Sequence, residues 1–239
     1  FVQSLQHHVF GHLMPGNKDA YERRVLPAFV RANNRPPANR QEVRVQMRRD
    51  PYHQMWGALR RSAQEMMWDA ADASISRQDT ALRAKSHVSN AKGSLTLDDS
   101  VVLPRYLTAV DIHCMPGNYT TDLADDDVFA GALYDRSVFL FVMGILGPYN
   151  DDVGHTLISY LKSEHPDFKP RRILDLGCAV GHSTLPYCDA FPDAEVHGIE
   201  LGAPMLRYGH ARAESLGKAV HFSQQNAEHT DFPDGHFDL

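Results

Sequence analysis

Apolar positions in the first 165 residues recur at three- and four-residue spacing, whereas after residue 171 they gather into short runs separated by helical stretches. Tyr21, Val25, Leu26, Phe29 and Val30 make a helical stripe from Asp19 to Ala32, and the run Arg31 to Pro37 breaks it. A second helical region begins near Arg40 and is interrupted at Asp50-Pro51. It resumes with Met55, Trp56, Leu59, Ala63, Met66, Met67 and Ala70, a stripe that suits core packing. Residues 74–100 are polar and mixed, and Ser89 to Ser94 reads as loop. Asp125 to Asp127 can cap and charge-stabilise a helix from Val128 to Leu146, whose second half is apolar nearly all round and is expected to be buried. Asp151-Asp152 open another helix with Val153, Leu157, Ile158 and Leu161 as its buried stripe.

The rhythm after 171 is that of alternating strands and helices. Ile173 to Leu176 is an apolar run that predicts a strand over 172–176, followed by a helix over 181–191. Glu195 to Glu200 is the second strand and Ala203 to Leu216 the next helix, with Pro204 in its first turn and Gly217 as its stop. Val220 to Ser223 is a third strand, Pro233 to Gly235 a turn, and Phe237 to Leu239 the first residues of a fourth strand. The pattern is an α/β, Rossmann-like doubly wound sheet, its front half only, preceded by a mainly α-helical N-terminal region that ends near residue 170. Three strands cannot complete such a sheet, so residues 1–239 are expected to be the front of a longer natural chain. Met-Pro-Gly-Asn occurs twice, at 14–17 and 115–118, as common turn chemistry rather than a repeat.

Composition changes this picture little. The chain is 43% hydrophobic and 23% charged, ordinary for a globular protein. The net charge of −6 is uneven: residues 1–104 hold 15 Lys and Arg against 10 Asp and Glu, and residues 105–239 hold 9 against 20. The basic front has no aromatic-interleaved cluster, so a nucleic-acid partner is not favoured. The longest apolar run, Val138 to Leu146, is too short for a bilayer span of about 20 residues. Cys114, Cys178 and Cys188 lack metal or disulfide spacing, which suits reduced thiols in a cytoplasmic protein.

The chemistry concentrates in Asp175-x-Gly177-x-Ala179-x-Gly181, where an acid ends a strand and glycines turn the chain into a helix. A nicotinamide fingerprint needs Gly-x-Gly-x-x-Gly directly after the strand, and this spacing does not supply it. Glu200 ends the second strand and Asn226-Ala-Glu228 follows the third. With those residues, Arg172 to Leu239 resembles the front half of a class I S-adenosylmethionine-dependent methyltransferase. Small-molecule and polyketide C-methyltransferases are among the kin the first motif resembles.

The resemblance implies S-adenosylmethionine as cofactor and S-adenosylhomocysteine as product. It places Gly177, Cys178, Ala179 and Gly181 under the methionine part, Asp175 by the amine, and Glu200 on both ribose hydroxyls. Leu201 and Met205 would flank the adenine, and Asn226 and Ala227 would meet its edge. Ala179 stands where the family often has glycine, at little cost if φ stays negative there. Residues 1–170 would lid the site or shape the pocket for a small-molecule or carrier-tethered acceptor. Histidines are the candidates for a base: His182 at a helix N-terminus, where the dipole favours a neutral ring, His155 on the helix before the first strand, and His113. A histidine-held metal has no support in the spacing. A catalytically inactive methyltransferase-like docking module is the alternative, and an NAD-dependent oxidoreductase is disfavoured.

Overall fold

A computed structural model describes residues 1–109 and 113–239. The chain divides into two compact units, Phe1–Met67 and Trp68–Leu239. The first is helical, with α1 (Val2–His8), α2 (Gly16–Ala20), α3 (Leu26–Asn33) and α4 (Arg40–Met47), and single π-helical turns at Val9–Leu13 and Tyr21–Val25. Asn34 stops α3 in the left-handed region (φ 52°), and the Asn39 side chain caps α4 by accepting from the Gln41 and Glu42 N–H groups. The Asp50 carboxylate accepts from the Tyr52 N–H at the start of α5 (Pro51–Ser76), so the expected interruption at Asp50-Pro51 is a helix start. Along α5, Ala63, Met67, Trp68, Ala71 and Ile75 are buried. Met55, Leu59 and Met66, expected in the core stripe, are about two-fifths exposed (41%, 39% and 39%).

The second unit continues through α6 (Asp79–Ser86), β1 (Ser94–Thr96), α7 (Arg105–Ala109), α8 (Phe129–Phe141) and α9 (Asp152–Glu164). It then alternates as read from the sequence: β2 (Arg172–Leu176), α10 (Leu185–Ala190), β3 (Glu195–Glu200), α11 (Ala203–Ser215) and β4 (His221–Gln224). The strands form one parallel sheet in the order β1-β4-β3-β2, with Ile173 opposite Val196 and Gly198 opposite Phe222. Ile173, Cys178, Leu185, Val196, Leu206, Ala213, Val220 and Phe222 are packed together as a core. Each large side chain in it contributes about 1.5–3 kcal/mol by leaving water. Phe237 to Leu239 lie beside β2, as a further strand would: the Asp238 N–H donates to Arg172 O and the Leu174 N–H to Leu239 O, both at 2.9 Å.

Three expectations are corrected. Ser94, the last residue of the stretch read as loop, opens β1, a three-residue edge strand. Gly93 lets the Val220 backbone come close, and the Ser94 N–H donates to Val220 O at 3.1 Å. Residues 68–170 share a compact unit with the sheet. The helix expected to reach Leu146 ends at Phe141, because Met143 and Gly144 turn into the left-handed region. Its first half is the buried half, while Ile145 is 72% exposed. On α9 the buried line is Gly154 and Ile158, with Val153 and Leu157 outward. A Cβ on Gly154 would lie 2.8 Å from Ser183 O, so the glycine is what lets α9 approach the turn before α10. The two Met-Pro-Gly-Asn segments differ as well: Gly16 and Asn17 are helical, whereas Gly117 and Asn118 have φ of 72° and 60°.

Candidate functional site: the turn after β2

β2 delivers Asp175 to its carboxyl end, and the chain then curls through Gly177 (φ 77°), Ala179 (φ 50°) and Gly181 (φ 83°). Gly177 faces open space: a Cβ there would meet nothing within 4 Å, and neighbouring Leu176 is 56% exposed. Gly181 is packed, since a Cβ would lie 2.8 Å from Leu185 Cδ1. At Ala179 the condition for a low cost, a negative φ, is not met. An alanine in this region is strained by about 1–2 kcal/mol relative to an ordinary conformation.

The strain has a counterpart at the end of β3. Glu200 accepts from the Leu201 N–H at 2.7 Å and the Gly202 N–H at 3.1 Å on Oε1, and from the Ala179 N–H at 3.3 Å on Oε2. A carboxylate offers about four lone-pair sites, so Oε2 keeps room for one more donor. Burial raises the Glu200 pKa above its ordinary value, the three N–H groups offset this only in part, and the Asp175 charge adds to the rise. Asp175 is raised by burial too, against the Thr184 hydroxyl that donates to its Oδ2 at 2.5 Å. Among the described residues no cationic side chain is paired with either acid.

The residues that the resemblance assigns to the ligand differ in exposure and in hydrogen bonding. Cys178 is 5% exposed and belongs to the core under Gly198, where a Cβ would lie 2.9 Å from its Sγ. Burial pushes its thiol well above the usual range. Met205 is 1% exposed and offers no surface to an adenine, whereas Leu201 is half-buried at the strand end. Asn226 uses its Oδ1 to accept the Glu228 N–H at 2.9 Å, and Ala227 is exposed beside it. The N–H groups of Gly177 and Cys178 donate to Ile199 O and that of Gly181 to Cys178 O, so these turn amides are already satisfied.

The histidines separate. His182 follows the turn and is 9% exposed, with Nε2 bonded to Asp135 of α8 at 2.5 Å. His155 is on the outer side of α9, 3.5 Å from Asp151. It lines a cleft with Tyr149, Pro186 and Arg212 that no residue of the glycine turn enters. The His113 Nδ1 is 2.7 Å from the Tyr119 hydroxyl, and the Tyr119 carbonyl would lie 2.5 Å from a Cβ on Gly202, at the end of the site nearer β3. Asp135 and Tyr134 were not singled out from the sequence. Their signal was an acid inside the otherwise apolar run Phe129 to Phe141.

S-adenosylmethionine carries an ammonium, a sulfonium and a ribose diol. Two half-buried acids without a cationic partner among the described residues, an open glycine and a free acceptor position on Oε2 fit those groups. No group of histidine, cysteine and acidic side chains that could hold a metal ion occurs among the described residues. No helix among them is long and apolar enough to cross a membrane.

Residues 173–239 match the family model for a methyltransferase domain, and the parallel sheet is consistent with a Rossmann-like arrangement. Over 69 residues the chain is 41% identical to the demethylmenaquinone methyltransferase of Thermus thermophilus, covering 29% of this chain and 31% of that one. Over 78 residues it is 33% identical to the ajmaline N-methyltransferase of Rauvolfia serpentina, covering 32% and 26%. A solved protein of Pyrococcus horikoshii OT3 is 26% identical over 39% of this chain and 40% of that one, with a TM-score of 0.34. The chain spans under a third of the length of these two curated relatives.

Proposed function

We propose that this chain carries the S-adenosylmethionine site of an enzyme that moves a methyl group to a small-molecule or carrier-tethered acceptor. The observation that carries the reading is the pair of half-buried acids, Asp175 and Glu200, at adjoining strand ends with no cationic partner among the described residues. Bound there, the cofactor supplies an electrophilic methyl group, and the protein's part is to position and desolvate the reactants. Glu200 Oε2 takes a ribose hydroxyl, Asp175 takes the ammonium, and the open side of Gly177 gives the methionine chain room. Leu201, Asn226 and Ala227 border the adenine. The names of the two relatives specify chemically different acceptors, a quinone precursor and an alkaloid nitrogen, so the shared segment fits the cofactor rather than the acceptor.

Isothermal calorimetry tests this. Wild type is expected to bind S-adenosylmethionine and S-adenosylhomocysteine, and not NAD(H). Glu200→Ala is expected to weaken S-adenosylmethionine binding by about 1.5–3 kcal/mol, more than tenfold. Unchanged affinity in that variant, or binding of NAD(H) alone, would refute the assignment.

A further inference from the structure

Asp135 is the meeting point of four segments in the sheet unit. Its Oδ1 accepts from His182 Nε2 at 2.5 Å and its Oδ2 from the Tyr208 hydroxyl at 2.8 Å. Asn150 Nδ2 holds the Asp135 backbone carbonyl at 3.1 Å, and Arg212 Nε stands 4.0 Å from Oδ2. Burial alone would raise the Asp135 carboxyl. The hydrogen bonds from His182 and Tyr208 and the charges of His182 and Arg212 outweigh it and bring the net shift below the ordinary value. Asp135 is thus an anion held at the Nε2 edge of the His182 ring.

The ring is fixed from another side as well. It stacks on Tyr134 with centroids 5.7 Å apart and an interplanar angle of 18°. Tyr134 in turn feels the charge of Glu200, which places the stack within electrostatic range of the site carboxylates. His182 sits in the same short turn as Thr184, whose hydroxyl donates to Asp175. A carboxylate accepting at Nε2 makes that nitrogen the protonated one, which leaves the Nδ1 lone pair available. No hydrogen-bond partner faces Nδ1 among the described residues, and the residue keeps 9% exposure. An imidazole with one nitrogen tied to a half-buried acid and the other without a hydrogen-bond partner, in the turn that follows the glycines, is the arrangement of an oriented base.

We infer that His182 accepts a proton from the methyl acceptor and that Asp135 is its positioning residue, an assignment that rests on the cofactor reading above. The acceptor class follows: an attacking atom that carries a proton, such as a hydroxyl oxygen or an acidic carbon, rather than a preformed thiolate. The bond between that atom and its hydrogen breaks as its bond to the methyl carbon forms and the carbon–sulfur bond of the sulfonium breaks. The proton goes to Nδ1, the sulfur becomes a neutral thioether, and the new imidazolium rests against Asp135. The charged and titratable groups around the ring are Asp135 and Tyr134 of α8, with Tyr208 and Arg212 of α11 behind Asp135.

The first test needs no acceptor. In ¹⁵N NMR of the full chain, His182 is expected as the Nε2–H tautomer at high pH. An Nδ1–H tautomer overturns the inference and leaves the cofactor reading standing. Failure of the same sample to bind S-adenosylmethionine or S-adenosylhomocysteine overturns both. The second test is transfer of labelled methyl to two phenols at about pH 8. His182→Gln is expected to lose about 100-fold on 2-naphthol, which must be deprotonated, and under about threefold on 4-nitrophenol, which is already ionised. Asp135→Asn is expected to show the same pattern with a smaller loss. Equal losses on both phenols, or no transfer to either by wild type, overturns the base role.

Discussion

Asp50, which is buried, and Asp175, which is half-buried, are acids at the ends of secondary elements, and the chain treats them in opposite ways. In the helical unit, Asp50 is gripped by both Arg24 Nε at 2.9 Å and Arg24 Nη2 at 3.0 Å while it caps α5. The hydrogen bond from Arg24 leads the causes that hold its carboxyl below the ordinary range. In the sheet unit, Asp175 has one hydroxyl and no cation, and burial holds it above that range, as it does Glu200. An acid whose charge is answered inside the protein is there for the fold. A pair of acids whose charge is unanswered costs stability, and the cost is intelligible where a cationic ligand completes the set.

The largest expected effect breaks the first half of that contrast. Asp50→Ala removes a helix cap and both Arg24 bonds, and is expected to lower stability by about 2–3 kcal/mol in urea unfolding followed by circular dichroism. A change under about 0.5 kcal/mol would mean that the Arg24 pair is ornamental. The pH dependence follows from its lowered pKa. The Asp50 contribution is present above the unfolded value of about 3.9 and is lost as pH falls through its folded value.

Asp175→Asn sharpens the second half. A carboxyl whose folded pKa is raised stabilises the fold below its unfolded value of about 3.9, and that contribution is lost as pH rises through the folded value. The amide keeps an acceptor for Thr184 without the buried charge. The ligand-free variant is therefore expected to be more stable than wild type at pH 7, by up to about 1 kcal/mol, with the difference closing near pH 4. Its affinity for S-adenosylmethionine is expected to fall about tenfold. Thermal melts across that pH range check the first point and calorimetry the second. A variant less stable than wild type at pH 7 would show that Asp175 is answered by the fold after all.

What the sequence disclosed, and what it hid, follows the same line between local and distant partners. Parallel strands buried on both faces are short apolar runs between glycine and proline signals, so β2, β3 and β4 were legible, and Glu200 was legible as an acid closing such a run. The glycine spacing likewise located the turn. Depth was not legible: Cys178 and Met205 fall at motif positions beside the site, yet both are buried, Cys178 against Gly198 of β3. Contacts across the chain were not legible either. His182 and Asp135 are 47 residues apart and Tyr208 and Asp135 are 73 apart, and no spacing rule joins them. β1 is three residues long and its pairing partner lies over a hundred positions away in β4.

The smallest effect concerns backbone rather than charge, and it extends the same contrast. Both units place a non-glycine residue in the left-handed region, Asn34 at φ 52° and Ala179 at φ 50°. Asn34 stops a helix, where an asparagine enters that region readily. Ala179 has no such chemistry, and what its conformation achieves is to aim its N–H at Glu200 Oε2, 3.3 Å away. Strain of this kind persists where surrounding contacts hold it, and the Glu200 contact is the visible one. Ala179→Gly removes a penalty of about 1–2 kcal/mol in the folded state and adds about 0.4–1 kcal/mol of freedom to the unfolded chain. The net expectation is a gain of a few tenths to about 1 kcal/mol in urea unfolding, with cofactor affinity held within about twofold because the N–H to Glu200 remains. Asn34→Gly is expected to change stability by less, since asparagine pays little there. If Ala179→Gly instead lost stability, the left-handed turn would be relaxed around alanine, and the strain would not belong to the site.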